Sequence, residues 1–160
     1  MKEIQDVVIV SACRTPIGKF MGSLKDFQAV DLATIAAKEA IKRAAVDPEI
    51  IDEIVMGEVY QHMQGSLPAR QVSLAAGLPL RSNACVVNQN CASGMRALDI
   101  AINHIQLGKT EVGLVVGVES MTNAPYMLPK ARMGYRMGPG IMEDAMLHDA
   151  LFDRLVEGHM

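Results

Sequence analysis

The sequence predicts an α/β fold in which helices cover a parallel-dominated mixed sheet. Three observations carry this. Short apolar runs bounded by glycine or polar turn residues alternate with amphipathic stretches in the order β-α-β-α-β-α-β. The runs are apolar on successive residues, as in strands buried on both faces. Hydrophobic residues make up 50% of the chain but aromatics only 4%, so Ala, Val, Ile, Leu and Met must fill the core in close layers.

The elements follow in chain order. Val7–Val10 reads as a buried strand, followed by a loop (11–24) punctuated by Pro16, Gly18 and Gly22. A helix is predicted over 29–45. Ala33, Ala36, Ala37, Ala40, Ile41 and Ala44 form its apolar stripe, opposite Asp31, Thr34, Lys38 and Lys42. Asp47-Pro48 ends it. Ile54–Met56 is a strand stopping at Gly57, and the polar loop 61–66 leads to a helix with Pro68 in its first turn and Gly77 as its cap. Ala84–Val87 is the next strand. A helix then runs to about Leu107, with Gly108 as its stop, and Val112–Val118 is a strand broken by Gly113 and Gly117. From Ser120 the texture changes to Pro, Gly and Met without periodicity, and 141–157 reads as a weakly amphipathic helix. Residues 1–119 are therefore expected to form one module and 120–160 the start of another.

Composition excludes several function classes. A net charge of −3, with basic residues scattered apart from Lys130, Arg132 and Arg136, does not suggest nucleic-acid binding. No stretch approaches membrane-spanning length, and the opening segment MKEIQDVVIVSA lacks the features of a secretory leader. Three cysteines without metal-ligand spacing argue against a disulfide framework or a metal site. The expected compartment is a reducing cytoplasm.

Cys91 is the candidate nucleophile. It stands where the run 84–87 gives way to a helix that is apolar nearly all round, with Asn90 expected as N-cap and Cys91 as the first helical residue. A helix N-terminus presents free N–H groups and partial positive charge, which favour the reactive thiolate. Ser93 and Gly94 are small enough to let a ligand approach. Most free cysteines are inert packing residues. Cys13 and Cys85, which lack the helix-end setting, are read that way.

The stretch NQNCASGMRALDIA (88–101) resembles the acyl-cysteine signature of thiolases. Four further segments resemble that family in register: 11–24, 69–79, 116–138 and 149–160. One departure is Ala92, where the family often has Gly. The resemblance is nearest to the acetoacetyl-CoA-forming type and spans the chain. It implies a thiolase-like layered fold whose N-terminal half is incomplete, as the N-terminal portion of a longer chain, lacking the last strand of that half.

The implied chemistry is Claisen condensation. Cys91 would capture an acyl group from an acyl-CoA thioester, its backbone N–H helping to hold the oxyanion. A second acetyl-CoA would then attack, giving acetoacetyl-CoA; in reverse, free coenzyme A would cleave a 3-ketoacyl-CoA. Leu151, His159 and Met160 would line the coenzyme A or acyl pocket, with CoA thioesters as substrates and no cofactor or metal. Residues 69–71 and the strand 84–87 would lie at a dimer contact, in a homodimer or homotetramer.

Thiolases take their bases from a Gly-His-Pro segment and a second Cys near the C-terminus, neither of which occurs here. The four histidines are poor substitutes. His104 lies roughly 20 Å along the helix from Cys91 at the helical rise. His148 is expected on a surface helix, His62 in a loop, and His159 at the binding pocket. The cluster Lys130, Arg132, Arg136 reads equally as a solvated loop or as a contact to coenzyme A phosphates or another subunit; Met127, Met133, Tyr135 and Met137 beside it favour an interface. Two alternatives stay open: a non-catalytic thiolase-like assembly fragment, and a ketoacyl synthase relative acting on carrier-protein substrates.

Overall fold

The computed structural model describes residues 5–160; the first four residues of the opening segment lie outside the described residues. Its centre is a three-stranded parallel sheet. β1 (Glu53–Gly57) lies between β2 (Asn83–Val87) and β3 (Gly113–Gly117), pairing Ile54 with Ala84 and Leu114. The predicted glycine break in the last of these runs is absent: Gly113 and Gly117 end β3 without interrupting it.

α1 (Ala29–Ala44) and α2 (Pro68–Ala75) cover one face, and α3 (Ser93–Gln106) covers the other. Ile54 and Met56 point into the α1–α2 side with Ala33, Ala37, Ile41 and Val72, while Val55 points to Ala97 and Ala101 of α3. Successive strand side chains face opposite layers, so a strand covered on both faces needs apolar residues throughout. α1 opens with the Asp31 carboxylate accepting the Gln28 N–H, and it ends where Ala45 adopts a left-handed conformation. After α2, Gly77 takes φ +92°, which a residue with a side chain rarely adopts.

Two expectations require correction. Val7–Val10 is not a strand. Among the described residues no backbone hydrogen bond pairs it with β3, and Val8, Ile9 and Val10 are 75%, 71% and 68% exposed. It flanks an open apolar groove of about 430 Å³, walled by β3, Ala40 and Ala44 of α1 and Ile105 of α3. An apolar run becomes a strand only where a neighbour meets its N–H and C=O groups. Residues 141–157 do not form an amphipathic helix. They form a single π-helical turn (Leu147–Leu151) between the short strands β5 (Glu143–Asp144) and β6 (Phe152–Asp153). β5 pairs with β4 (Tyr126–Met127), and β6 with β7 (Gly158–His159). On the other face of the sheet α3 buries Ser93, Ala97 and Ala101 and leaves Met95 71% exposed.

Candidate active site

α3 begins at Ser93, so Cys91 sits two residues before the helix and Asn90 is not its N-cap. The turn 88–93 is instead held by side chains. The Ser93 hydroxyl donates to the Asn90 carbonyl at 2.6 Å and accepts the Gln89 N–H at 2.8 Å, and the Asn88 side chain accepts the Asn90 N–H at 2.9 Å. Asn90 takes φ +49°, a left-handed conformation that asparagine tolerates better than most residues. These constraints leave Cys91 exposed, whereas Cys13 and Cys85 are half-buried. Cys13 donates its thiol to the Ala36 carbonyl, and burial, with the Glu53 charge, pushes the Cys85 thiol up.

The turn rests on the C-terminal ends of β1 and β3. A Cβ at Gly57 would overlap the Ser93 carbonyl, and one at Gly117 would lie 3.4 Å from the Gly94 Cα. Close backbone approach of strand ends to the helix start therefore depends on glycine. Beyond it the parallel ladder continues: Glu58 N–H donates to Val87 O and Val118 N–H to Gly57 O. The Glu119 carboxylate then accepts the Val59 and Tyr60 N–H groups at 2.9 and 3.0 Å. Burial pushes Glu119 above the ordinary carboxyl range despite these bonds. Glu58 is completely buried; burial, reinforced by the neighbouring Glu119, raises it to about 7 against the opposing bond from Gln64. Tyr60 is raised chiefly by burial, with the charges of Glu119, Asp144, Asp149 and Cys91 adding to it, and its hydroxyl donates to the Met146 carbonyl at 2.8 Å.

Of the residues singled out from sequence, Leu151, His159 and Met160 come together. Met160 N–H donates to Leu151 O, and His159 meets the Phe152 ring edge-on at 5.3 Å. Leu151 lines a cavity of about 600 Å³ shared with Arg14, Phe20, Val118, Glu119 and Met146; Cys91 is not part of its wall. The histidines do not converge on Cys91. His104 bonds Glu53 at 2.9 Å, while His62 and His148 each bond Asp149, at 2.8 and 2.7 Å, with His148 exposed on the π-helical turn. The His148 bond, then the His62 bond, draws the Asp149 carboxyl down against the opposing effect of burial. Lys130, Arg132 and Arg136 are exposed. Among the described residues no group of three or more His, Cys, Asp or Glu could hold a metal ion. Glu58, Tyr60, Gln64 and Glu119 were not anticipated from sequence; the available signal was polar residues immediately after the ends of parallel strands, where α/β folds place their sites.

This geometry can be set beside known proteins. The thiolase N-terminal domain family matches residues 7–160. The chain belongs to the thiolase family. Acetyl-CoA acetyltransferase of Syntrophomonas wolfei superposes with a TM-score of 0.96 at 55% identity, covering 99% of this chain and 40% of that one. The Acat5 thiolase of Ascaris suum, solved in complex with coenzyme A, gives 0.92 at 36% identity over 97% and 40%. An acetyl-CoA acetyltransferase of Cupriavidus necator is 43% identical over 155 residues, 97% of this chain and 39% of the relative. The chain thus spans about two-fifths of the length of the relatives it matches. Membership of this family favours the thiolase over the ketoacyl synthase alternative. Among the described residues no helix is long and apolar enough to cross a membrane.

Proposed function

We propose that this chain provides the nucleophile-bearing portion of a thiolase-type acetyl-CoA acetyltransferase acting in the cytoplasm, without a cofactor. The observation that carries the reading is Cys91, an exposed sulfur held by a strapped turn on the glycine floor of β1 and β3. The Cys91 thiol gives up its proton, its thiolate attacks the carbonyl carbon of acetyl-CoA, the thioester bond breaks, and coenzyme A leaves as the thiolate, which takes up that proton. The backbone N–H of Cys91 supports the oxyanion. A second acetyl-CoA, deprotonated at its α-carbon, then attacks the acetyl-cysteine. Acetoacetyl-CoA forms and the sulfur is released; thiolytic cleavage of a 3-ketoacyl-CoA is the reverse.

Residues 120–160 begin the substrate-binding module after the core of 1–119, with Leu151, His159 and Met160 lining its pocket. The free edge of β2 and the exposed 130–137 loop are the contacts of a homodimer or tetramer. Among the described residues no histidine or carboxylate is hydrogen-bonded to Cys91, which supports the chain alone being inactive and acting as an assembly partner. The test is acetyl exchange between acetyl-CoA and free coenzyme A by this chain combined with the C-terminal portion of an acetyl-CoA acetyltransferase. Cys91→Ser is expected to lower exchange by about a thousandfold; unchanged exchange would overturn the reading.

A further inference from the structure

His62, Asp149, His148 and Arg154 form a continuous hydrogen-bonded line that joins distant parts of the chain. Asp149, on the π-helical turn, has both carboxyl oxygens engaged: one faces His62 Nε2 at 2.8 Å, the other His148 Nδ1 at 2.7 Å. The second ring nitrogen of His148, Nε2, meets the Arg154 guanidinium at 2.7 Å. A guanidinium has only donors, so Nε2 must accept. Nδ1 then carries the proton and donates it to Asp149. This geometry fixes His148 as the neutral Nδ1–H tautomer, while His62 donates from Nε2. The line ties the loop after β1 to the π-helical turn, and the turn to the β6–β7 hairpin. In that hairpin Phe152 pairs with His159, and the Met160 N–H closes it onto the Leu151 carbonyl.

We infer that His148 is a positioning residue: as a neutral relay between Asp149 and Arg154 it anchors the hairpin that carries His159, and its protonation releases that hairpin. The proton comes from solvent and lands on Nε2. Nε2–H then faces the Arg154 N–H, two donors on two cations, so that bond breaks and Arg154 swings away. On the other side of the carboxylate, His62 keeps its donor when it is protonated and gains a charge, so the tie between loop and turn survives. The His148 bond, then the His62 bond, hold the Asp149 carboxyl low against burial, and it stays ionised across the range where histidine side chains take up protons. Acid therefore loosens one arm of the line and tightens the other. The charged or titratable groups packed around it are Tyr60 after β1, Glu143 and Asp144 in β5, and Asp153, Glu157 and His159 in the hairpin. Asp153 is engaged within the hairpin itself, where it accepts the Leu155 and Val156 N–H groups, and the Tyr60 hydroxyl donates to the Met146 carbonyl.

The inference rests on the proposed function only in taking His159 as part of the substrate pocket, and its test does not require turnover. Long-range proton–nitrogen correlation spectra of the full chain with isotope-labelled histidine, assigned with His62→Asn and His148→Asn, should show His148 as the Nδ1–H tautomer at pH 7.5 and doubly protonated at pH 5. Hydrogen exchange of the Met160 amide should speed about fivefold between the same two conditions, once the intrinsic pH dependence of exchange is divided out. In Arg154→Gln that amide should exchange fast at both pH values, whereas His62→Asn should keep both the His148 tautomer and the pH step. His148 found as the Nε2–H tautomer or already charged at pH 7.5, or a Met160 amide equally protected at both pH values, would overturn the inference. Acylation of Cys91 beside an unresponsive hairpin would refute the relay and leave the acyltransferase reading standing. A responsive hairpin in a chain whose Cys91 takes no acyl group would do the opposite.

Discussion

Ile54–Met56 and Val7–Val10 are apolar runs of nearly the same composition with opposite fates. The first is wholly buried at the centre of the sheet; the second has no strand partner among the described residues, and its Val8, Ile9 and Val10 are about seventy per cent exposed beside an open groove. β1 has a strand on each side and a helical layer on each face, whereas Val7–Val10 has one apolar wall and, among the described residues, no ladder partner. Strand character is thus a property of neighbours as much as of residues.

The contrast can be broken most severely at its centre. Ile54→Ala should cost about 3 kcal/mol in denaturant unfolding, while Ile9→Ala should cost about 0.5 kcal/mol or less. Equal effects would mean that the N-terminal run is packed in solution. Gly57→Ala should destabilise by about 2 kcal/mol, because its Cβ meets the backbone of the Cys91 turn. Slower Cys91 alkylation should accompany that loss, and an unperturbed site would show that β1 and the turn are not in close contact.

A third effect is expected from pH. Glu58 is raised from 4.5 to about 7, so it binds its proton more tightly folded than unfolded. Its contribution is fully present below pH 4.5 and is lost as pH rises to 7. The melting temperature should fall across that window by a slope that Glu58→Gln abolishes. Asp149 works in the other direction. Its lowered pKa contributes stability above the ordinary aspartate range and loses it as the solution becomes more acidic, so Asp149→Asn should narrow the difference between pH 6 and pH 3. The smallest effect concerns association. Val8, Ile9 and Val10 form an exposed apolar surface, and light scattering should show the wild-type chain associating more than a variant with Val8 and Val10 changed to Thr.

Much of the sheet and its helices was legible because local signals agreed with the final environment. The α1 alanine stripe, Pro68 and Gly77 each act within one turn of chain, and the runs at 54–56 and 84–87 lie where strands formed. Three things were not legible. Whether Val7–Val10 becomes a strand depends on partner groups distant in sequence. The start of α3 was misplaced because Ser93 bonds back across the turn, a role its position alone does not reveal. The 141–157 segment is shaped by long-range ties, Tyr60 to Met146 and His62 to Asp149, rather than by helical periodicity. At the site, Cys91 was visible through its neighbours in sequence, whereas Glu58 and Glu119 come to neighbouring strand ends only when β1 and β3 are laid side by side.

The most direct measurement follows isotope-labelled acetyl-CoA into the chain, combined with the C-terminal portion of an acetyl-CoA acetyltransferase, under rapid quench. The account predicts one labelled acetyl group per chain, located on Cys91 and discharged by added free coenzyme A. Label on Cys13 or Cys85, or no covalent label at all, would contradict it.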